Sequence, residues 1–189
     1  SLAMIYATRM LGLFMILPVF SLYASGLEGV TPFLVGIAIG IYGMTQAIFQ
    51  IPLGMLSDRF GRKPVIVAGL LVFALGSAVA AMSDSIYGII FGRALQGAGA
   101  VAAAVMALAA DLTREEHRTK VMATIGASIG VAFALSMILG PILNTMIGVP
   151  GIFGLTVLLA LLAIGIVLFA VPTVAIHFHR DTELVPATL

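Results

Sequence analysis

An all-α membrane protein, six transmembrane helices arranged as two inverted three-helix repeats, is the fold class this sequence predicts. Three observations predict it. The 189 residues are 61% apolar and only 9% charged, with a mean hydropathy of +1.21, whereas soluble domains are about 25% charged. The apolar residues gather into six segments, each near the ~20 residues that carry a helix across the hydrocarbon core. Matching residues also recur between the first three segments and the last three at nearly constant separation. Arg9-Met-Leu-Gly pairs with Arg93-Ala-Leu-Gln, Pro52 with Pro141, and Pro64 with Pro150. Because each unit has an odd number of helices, the second must run in the opposite sense to the first.

The segments are expected at about 2–24, 32–56, 64–82, 86–110, 121–147 and 152–172, within one transmembrane domain of residues 1–176, followed by a tail at 177–189. The first holds Arg9 and lacks a small-residue cleavage site, so it reads as a span rather than a signal peptide. The opening Ser-Leu-Ala-Met leads us to expect natural residues upstream of it. Ser83-Asp84-Ser85 offers N-cap residues for the fourth helix, and Thr113 with Glu116 has capping-box spacing before the fifth. Pro64 and Pro150 fall near helix starts, where a missing N–H is tolerated.

Topology follows from the basic residues. Arg59, Arg62 and Lys63 lie between segments two and three, Arg114, Arg118 and Lys120 between four and five, and Arg180 in the tail. The loops around Glu28, Asp84 and Asn144 hold no Lys or Arg. The positive-inside rule then makes both termini and both basic loops cytoplasmic, in agreement with an even number of spans. A net charge of +1 spread over short loops gives no footprint for nucleic acid. With no cysteine there is no disulfide or thiolate metal site. His177 and His179, two apart, do not share a helical face, so no metal is expected. No hydrolytic triad or phosphate loop is present, no cofactor is expected, and an enzyme is not the reading.

Two arginines, Arg9 and Arg93, lie within spans, where each costs on the order of 2.5–3.5 kcal/mol at a helix centre. Arg9 is either near enough to one end to snorkel or turned inward; Arg93 is deeper and expected inside. Gln96 shares its helical face at i+3. Tyr42, Gln46 and Gln50 form a second polar stripe, and such a stripe must turn away from lipid. The two stripes are expected to line one cavity or to act as interhelical glue. Gly36, Gly40, Gly43, Gly54, Gly97, Gly99, Gly126 and Gly130 have the small-residue spacing of close helix packing. No Asp or Glu falls within a segment, so an obvious intramembrane proton carrier is lacking.

The charged stretch between segments two and three reads Gly54-x-x-x-Asp58-Arg59-x-Gly61-Arg62-Lys63. It is expected as a short loop. Asp58 would follow one helix and Arg62 and Lys63 precede the next, and both placements oppose the helix dipole, so partners are required. This stretch resembles the loop signature of the major facilitator superfamily at every charged and glycine position. Arg93-Ala-Leu-Gln96-Gly97-x-Gly99-Ala100 resembles that superfamily's fourth-helix motif, and Leu11-Gly12 to Pro18 its first-helix motif. With Ala109-Ala-Asp111-Leu-Thr-Arg-Glu, residues from about Arg9 to Pro172 resemble the N-terminal six-helix half of a drug:proton antiporter.

The resemblance implies a multi-pass inner-membrane transporter that moves a small or amphipathic organic compound by alternating access between two six-helix units. It implies a conformational lock at Gly54, Asp58, Arg59, Gly61, Arg62, Lys63 and Asp111. There Asp58 would face a helix N-terminus of the second half, and Arg62 would join Asp58 to Asp111. It also implies proton coupling through Arg93. The polar stripes and the arginines within spans make Arg9, Tyr42, Gln46, Gln50, Arg93 and Gln96 the residues expected at a substrate cavity or in coupling. The fifth-helix antiporter motif is only partly present. Gly140-Pro141 stands, but Ser136, Asn144 and Thr145 occupy usual glycine positions. One six-helix unit needs a second half or a homodimer partner. The alternative is a truncated or engineered half that does not transport.

Overall fold

The computed structural model describes residues 2–171. The tail expected at 177–189, with His177, His179 and Arg180, lies outside the described residues, as does Pro172. The described residues are helical apart from short connections and one bridge between Glu28 and Ser85. Five stretches are long and apolar enough to cross a membrane: Leu2–Ala24, Pro32–Phe60, Arg62–Ala81, Ile86–Asp111 and Glu115–Ala170.

The first stretch is two helices, α1 (Leu2–Phe14) and α2 (Leu17–Ala24). Pro18, at the start of α2, has no N–H to give to the carbonyl a turn earlier, and the ladder breaks at Met15-Ile16. α3 (Pro32–Phe60) is capped by Thr31, whose hydroxyl accepts from Leu34 N at 3.2 Å, with proline at the tolerant first position. α4 (Arg62–Ala81) follows α3 with a single residue, Gly61, between them. α5 (Ile86–Ala98) is capped by Ser85, which accepts from Tyr87 N at 3.3 Å. α6 (Ala102–Asp111) continues α5 after a break at Gly99-Ala100-Val101.

The capping box expected at Thr113 and Glu116 does not form. α7 (Glu115–Ala170) starts after Arg114, whose extended backbone precedes it without a side-chain cap. As a straight rod its 56 residues would extend about 84 Å, well over the ~30 Å of a hydrocarbon core. It is not straight. Gly148 has φ 68° and ψ 175°, a conformation open almost only to glycine, and the helix turns back there. Hydroxyls from both arms meet the same place on α1. Ser136 Oγ donates to Leu11 O at 3.1 Å, and Thr156 Oγ1 donates to Gly12 O at 3.2 Å. Twenty residues of unbroken helix would hold these hydroxyls about 30 Å apart.

Two contiguous cores result. One joins α1, α4, α6 and both arms of α7 around Ile5, Leu70, Phe73, Val105, Leu108 and Ala160; the other joins α2, α5 and the Gly148 bend around Phe20, Ile86, Ile89, Ile152 and Phe153. α3 is the exception. Only 11% of its most apolar part is buried, against 33% for Glu115–Ala170, 50% for Leu2–Ala24 and for Arg62–Ala81, and 61% for Ile86–Asp111. The glycine expectation divides accordingly. At Gly97 an added Cβ would strike Thr45 and Tyr42 of α3, and at Gly99 it would strike Gly69 and Phe73 of α4. At Gly36, Gly40, Gly43, Gly126 and Gly130 nothing lies within 4 Å, so these stripes bring no described helix closer.

Candidate functional site

The charged stretch 54–64 is not a loop. α3 runs through Asp58 to Phe60, and Arg62 already belongs to α4, leaving Gly61 as the whole connection. Its φ of 99° and ψ of 148° are closed to side-chain-bearing residues and let one helix stop and the next start within a single residue. Asp58 therefore sits in the last turn of α3, and Arg62 and Lys63 in the first turn of α4, against both dipoles.

Each misplaced charge has found a partner. Arg62 forms an ion pair with Asp58 and a second with Asp111, its Nε lying 3.0 Å from Asp111 Oδ2 at the end of α6. Its Nη1 donates to Ser57 Oγ at 2.7 Å, and Ser57 in turn donates to Gly54 O at 2.6 Å. Lys63 reaches the far end of α7, donating to Leu168 O at 3.0 Å and Val171 O at 2.9 Å. Those are carbonyls that a helix end leaves unpaired. Arg59 is exposed and stacks on Phe60, with the guanidinium carbon 5.7 Å from the ring centre. One side chain thus ties α3 to α6, and its neighbour ties α4 to α7. Ser57 and the Lys63 cap escape sequence reasoning, because a hydroxyl beside an acid and a lysine beside an arginine carry no distinguishing spacing.

A second polar cluster lies inside the bundle. Arg9 is 1% exposed and Arg93 3%. Arg9 does not snorkel; its guanidinium carbon lies 5.1 Å from the centre of the Phe73 ring and 6.0 Å from that of Tyr42. Nη2 of Arg9 makes long contacts to Gln46 Oε1 at 3.5 Å and to Gly99 O at 3.4 Å, in the break between α5 and α6. Arg93 lies against Tyr42 at 5.1 Å, donating from Nε to Ala38 O at 3.2 Å and from Nη1 to Gln96 Oε1 at 3.0 Å. Gln96 passes the chain on, donating to Ser77 Oγ at 2.8 Å, and Ser77 donates to Phe73 O at 2.9 Å.

The two predicted stripes meet, with Tyr42 between both arginines. They do not all share one open cavity. Tyr42, Arg93 and Gln96 are enclosed by their own helices, Gln46 is half-buried at the edge, and Gln50, one turn further along α3 and also half-buried, joins none of these hydrogen bonds. Ser77 is the member that sequence reasoning missed.

A family model described as Major Facilitator Superfamily matches residues 2–189. The chain is 55% identical over 185 residues to the inner membrane transport protein YajR of Escherichia coli K12, covering 97% of this chain and 41% of that protein. It is 44% identical over 173 residues to an uncharacterized transporter of Buchnera aphidicola from Schizaphis graminum, covering 92% of this chain and 44% of that one. A shorter match, 36% over 86 residues, joins it to the class B tetracycline resistance protein of Escherichia coli, covering 45% of this chain and 21% of that one. In fold it is similar to the crystal structure of the human organic anion transporter MFSD10 (TETRAN), with a TM-score of 0.72, 21% identity, and coverage of 93% of this chain and 47% of that one. The chain thus spans less than half the length of these relatives. On the family match along its described length, this chain belongs to the Major Facilitator Superfamily, a family of transporters and not of enzymes.

Proposed function

We propose that the chain is one six-crossing unit of a secondary active transporter that moves a small or amphipathic organic compound by alternating access, with proton-coupled efflux as its direction. The observation that carries this reading is the unpartnered face of α3. Gly36, Gly40 and Gly43 have nothing within 4 Å, and Gln46 and Gln50 are half-buried on the same helix. Glutamines facing hydrocarbon cost several kcal/mol, so a second six-helix unit or a second copy covers them, with a water-filled path between. The two arms of α7 count as separate crossings, which completes two inverted three-helix repeats. The name of the Escherichia coli relative supports the inner membrane, and the basic residues at the α3–α4 and α6–α7 junctions support a cytoplasmic side for those ends.

In this reading the stretch from Gly54 to Lys63 with Asp111 is a conformational lock. The exposed carboxylate of Asp58 is directed at a helix N-terminus of the second unit, where its charge is favoured. Proteoliposomes that hold the chain together with the second unit or copy that covers α3, loaded with anionic, neutral and cationic amphipathic dyes under an imposed pH gradient, test the proposal. Gradient-driven movement of at least one dye, slowed by Asp58→Asn and by Arg93→Ala, is the expected result. No movement of any dye, or variants as fast as the parent, overturns it.

A further inference from the structure

We propose that Arg9 and Tyr42 form a site for the carboxylate of a small organic anion with an apolar body, approached from the open face of α3 past Gln46. The inference rests on reading that face as the wall of the transport path. Arg9 is 1% exposed, yet its Nε and Nη1 have no hydrogen-bond partner among the described residues, and its remaining nitrogen makes only the two contacts of 3.4 and 3.5 Å. Tyr42, 7% exposed, likewise has an unpartnered hydroxyl. An arginine keeps its proton in proteins and so cannot escape its charge by neutralising. Burying a charge with so few hydrogen bonds and no anion beside it is costly, and here a second guanidinium, that of Arg93, lies against the same Tyr42 ring.

No Asp or Glu lies in the described stretches within reach of these cations: Asp58 and Asp111 are at helix ends and engaged by Arg62. Two enclosed cations around three unused hydrogen-bonding atoms make a positive, donor-rich point in a low-dielectric setting, which an anionic group satisfies more than any neutral one. The rings of Phe73 and Tyr42 flank the Arg9 guanidinium and keep the surroundings of the anion's partner apolar, which favours an organic anion over a strongly hydrated inorganic one. Gln46 is the one member of the cluster half-buried at the unpartnered face, and it already contacts Arg9. Displacing its amide oxygen opens the way from that face.

Isothermal titration of the protein in lipid nanodiscs with benzoate and with benzamide, its neutral isostere, tests the site. Benzoate should bind at least about tenfold more tightly than benzamide, Arg9→Gln should remove the difference, and Tyr42→Phe should weaken benzoate severalfold. Because Arg9→Gln alone can disturb folding, Tyr42→Phe is judged beside an unchanged circular dichroism spectrum. Absence of benzoate binding, equal binding of the two probes, or parent-like binding by both variants overturns the proposal. Displacement of benzoate by equimolar chloride overturns the organic class. Benzoate binding without dye flux overturns the transport reading alone, and dye flux without benzoate binding overturns this inference alone.

Discussion

Lys63 Nζ lies 2.9 Å from the carbonyl oxygen of Val171, so a lysine at the start of α4 closes the end of α7. A cation that its own helix N-terminus disfavours is placed where another helix favours it. Replacing it with an isosteric apolar chain, Lys63→Met, leaves the carbonyls of Leu168 and Val171 without this donor. Hydrogen exchange should rise in the last turn of α7 while the Gly148 bend is unchanged. Loss of stability should be about 1 kcal/mol, the scale of one charge–dipole contact. Unchanged protection near Leu168 would show that the cap holds nothing.

Arg62 and Asp111 join α4 to α6 at 3.0 Å, with side chains 20% and 40% exposed. A double-mutant cycle of Arg62→Gln and Asp111→Asn should return a coupling of roughly 0.5–1 kcal/mol, because water screens a pair this accessible. Raising the salt concentration should reduce it. A coupling that ignores salt would mean the pair acts through packing rather than charge.

Gln96 is completely buried between Arg93 and Ser77. Gln96→Leu keeps much of the volume but strips partners from a guanidinium and a hydroxyl at once. Destabilisation of about 1–3 kcal/mol per orphaned group is expected, read as a lower unfolding midpoint in a mild detergent. Gln96→Glu should be better tolerated, since its carboxylate still accepts from Arg93. If both substitutions behave alike, hydrogen bonding to Arg93 is not what fixes this residue.

Gly148 turns α7 back on itself at φ 68°, ψ 175°. Gly148→Ala must strain or abandon that conformation, at a cost on the order of 1–3 kcal/mol. Gly154→Ala on the following arm, where nothing lies within 4 Å of an added Cβ, serves as the control and should be neutral or slightly stabilising. Equal midpoints for the two variants would remove the backbone argument.

The apolar segments and the arginines within them were legible because a bilayer leaves helices with few options. Where those helices end was less so. Hydropathy puts the end of the second segment at Leu56, at the first charges, but hydrogen bonding carries α3 to Phe60, and only the backbone of Gly61 stops it. Polarity and helix length are different properties, and charges survive in a last turn when partners such as Arg62 are near. The break within the first stretch, read as one span, has a cause in Pro18, but that between α5 and α6 lies at Gly99, and glycines such as Gly36, Gly40 and Gly43 sit inside an unbroken helix. The polar stripes were visible by spacing. That Arg93 and Gln96 are enclosed, while Gln50 is half-buried at the surface, depends on how α3 and α5 rotate against each other, and spacing within one helix does not encode that. Thr113 and Glu116 had capping-box spacing without the box, because Arg114 intervenes in an extended conformation.

The hydroxyls of Ser136 and Thr156 fix more than the fold-back of α7. Each shares its one proton with its own helix, Ser136 with Ala132 O at 2.6 Å and Thr156 with Ile152 O at 2.9 Å, while also meeting the neighbouring carbonyls of Leu11 and Gly12. Together they act as two pegs in adjacent notches of α1. A slip of α1 by a single residue would rotate it by about 100° and swing Arg9 off the Phe73 ring. The azimuth of the buried cation is thus set not by its own weak contacts but by two small side chains, one from each arm of α7.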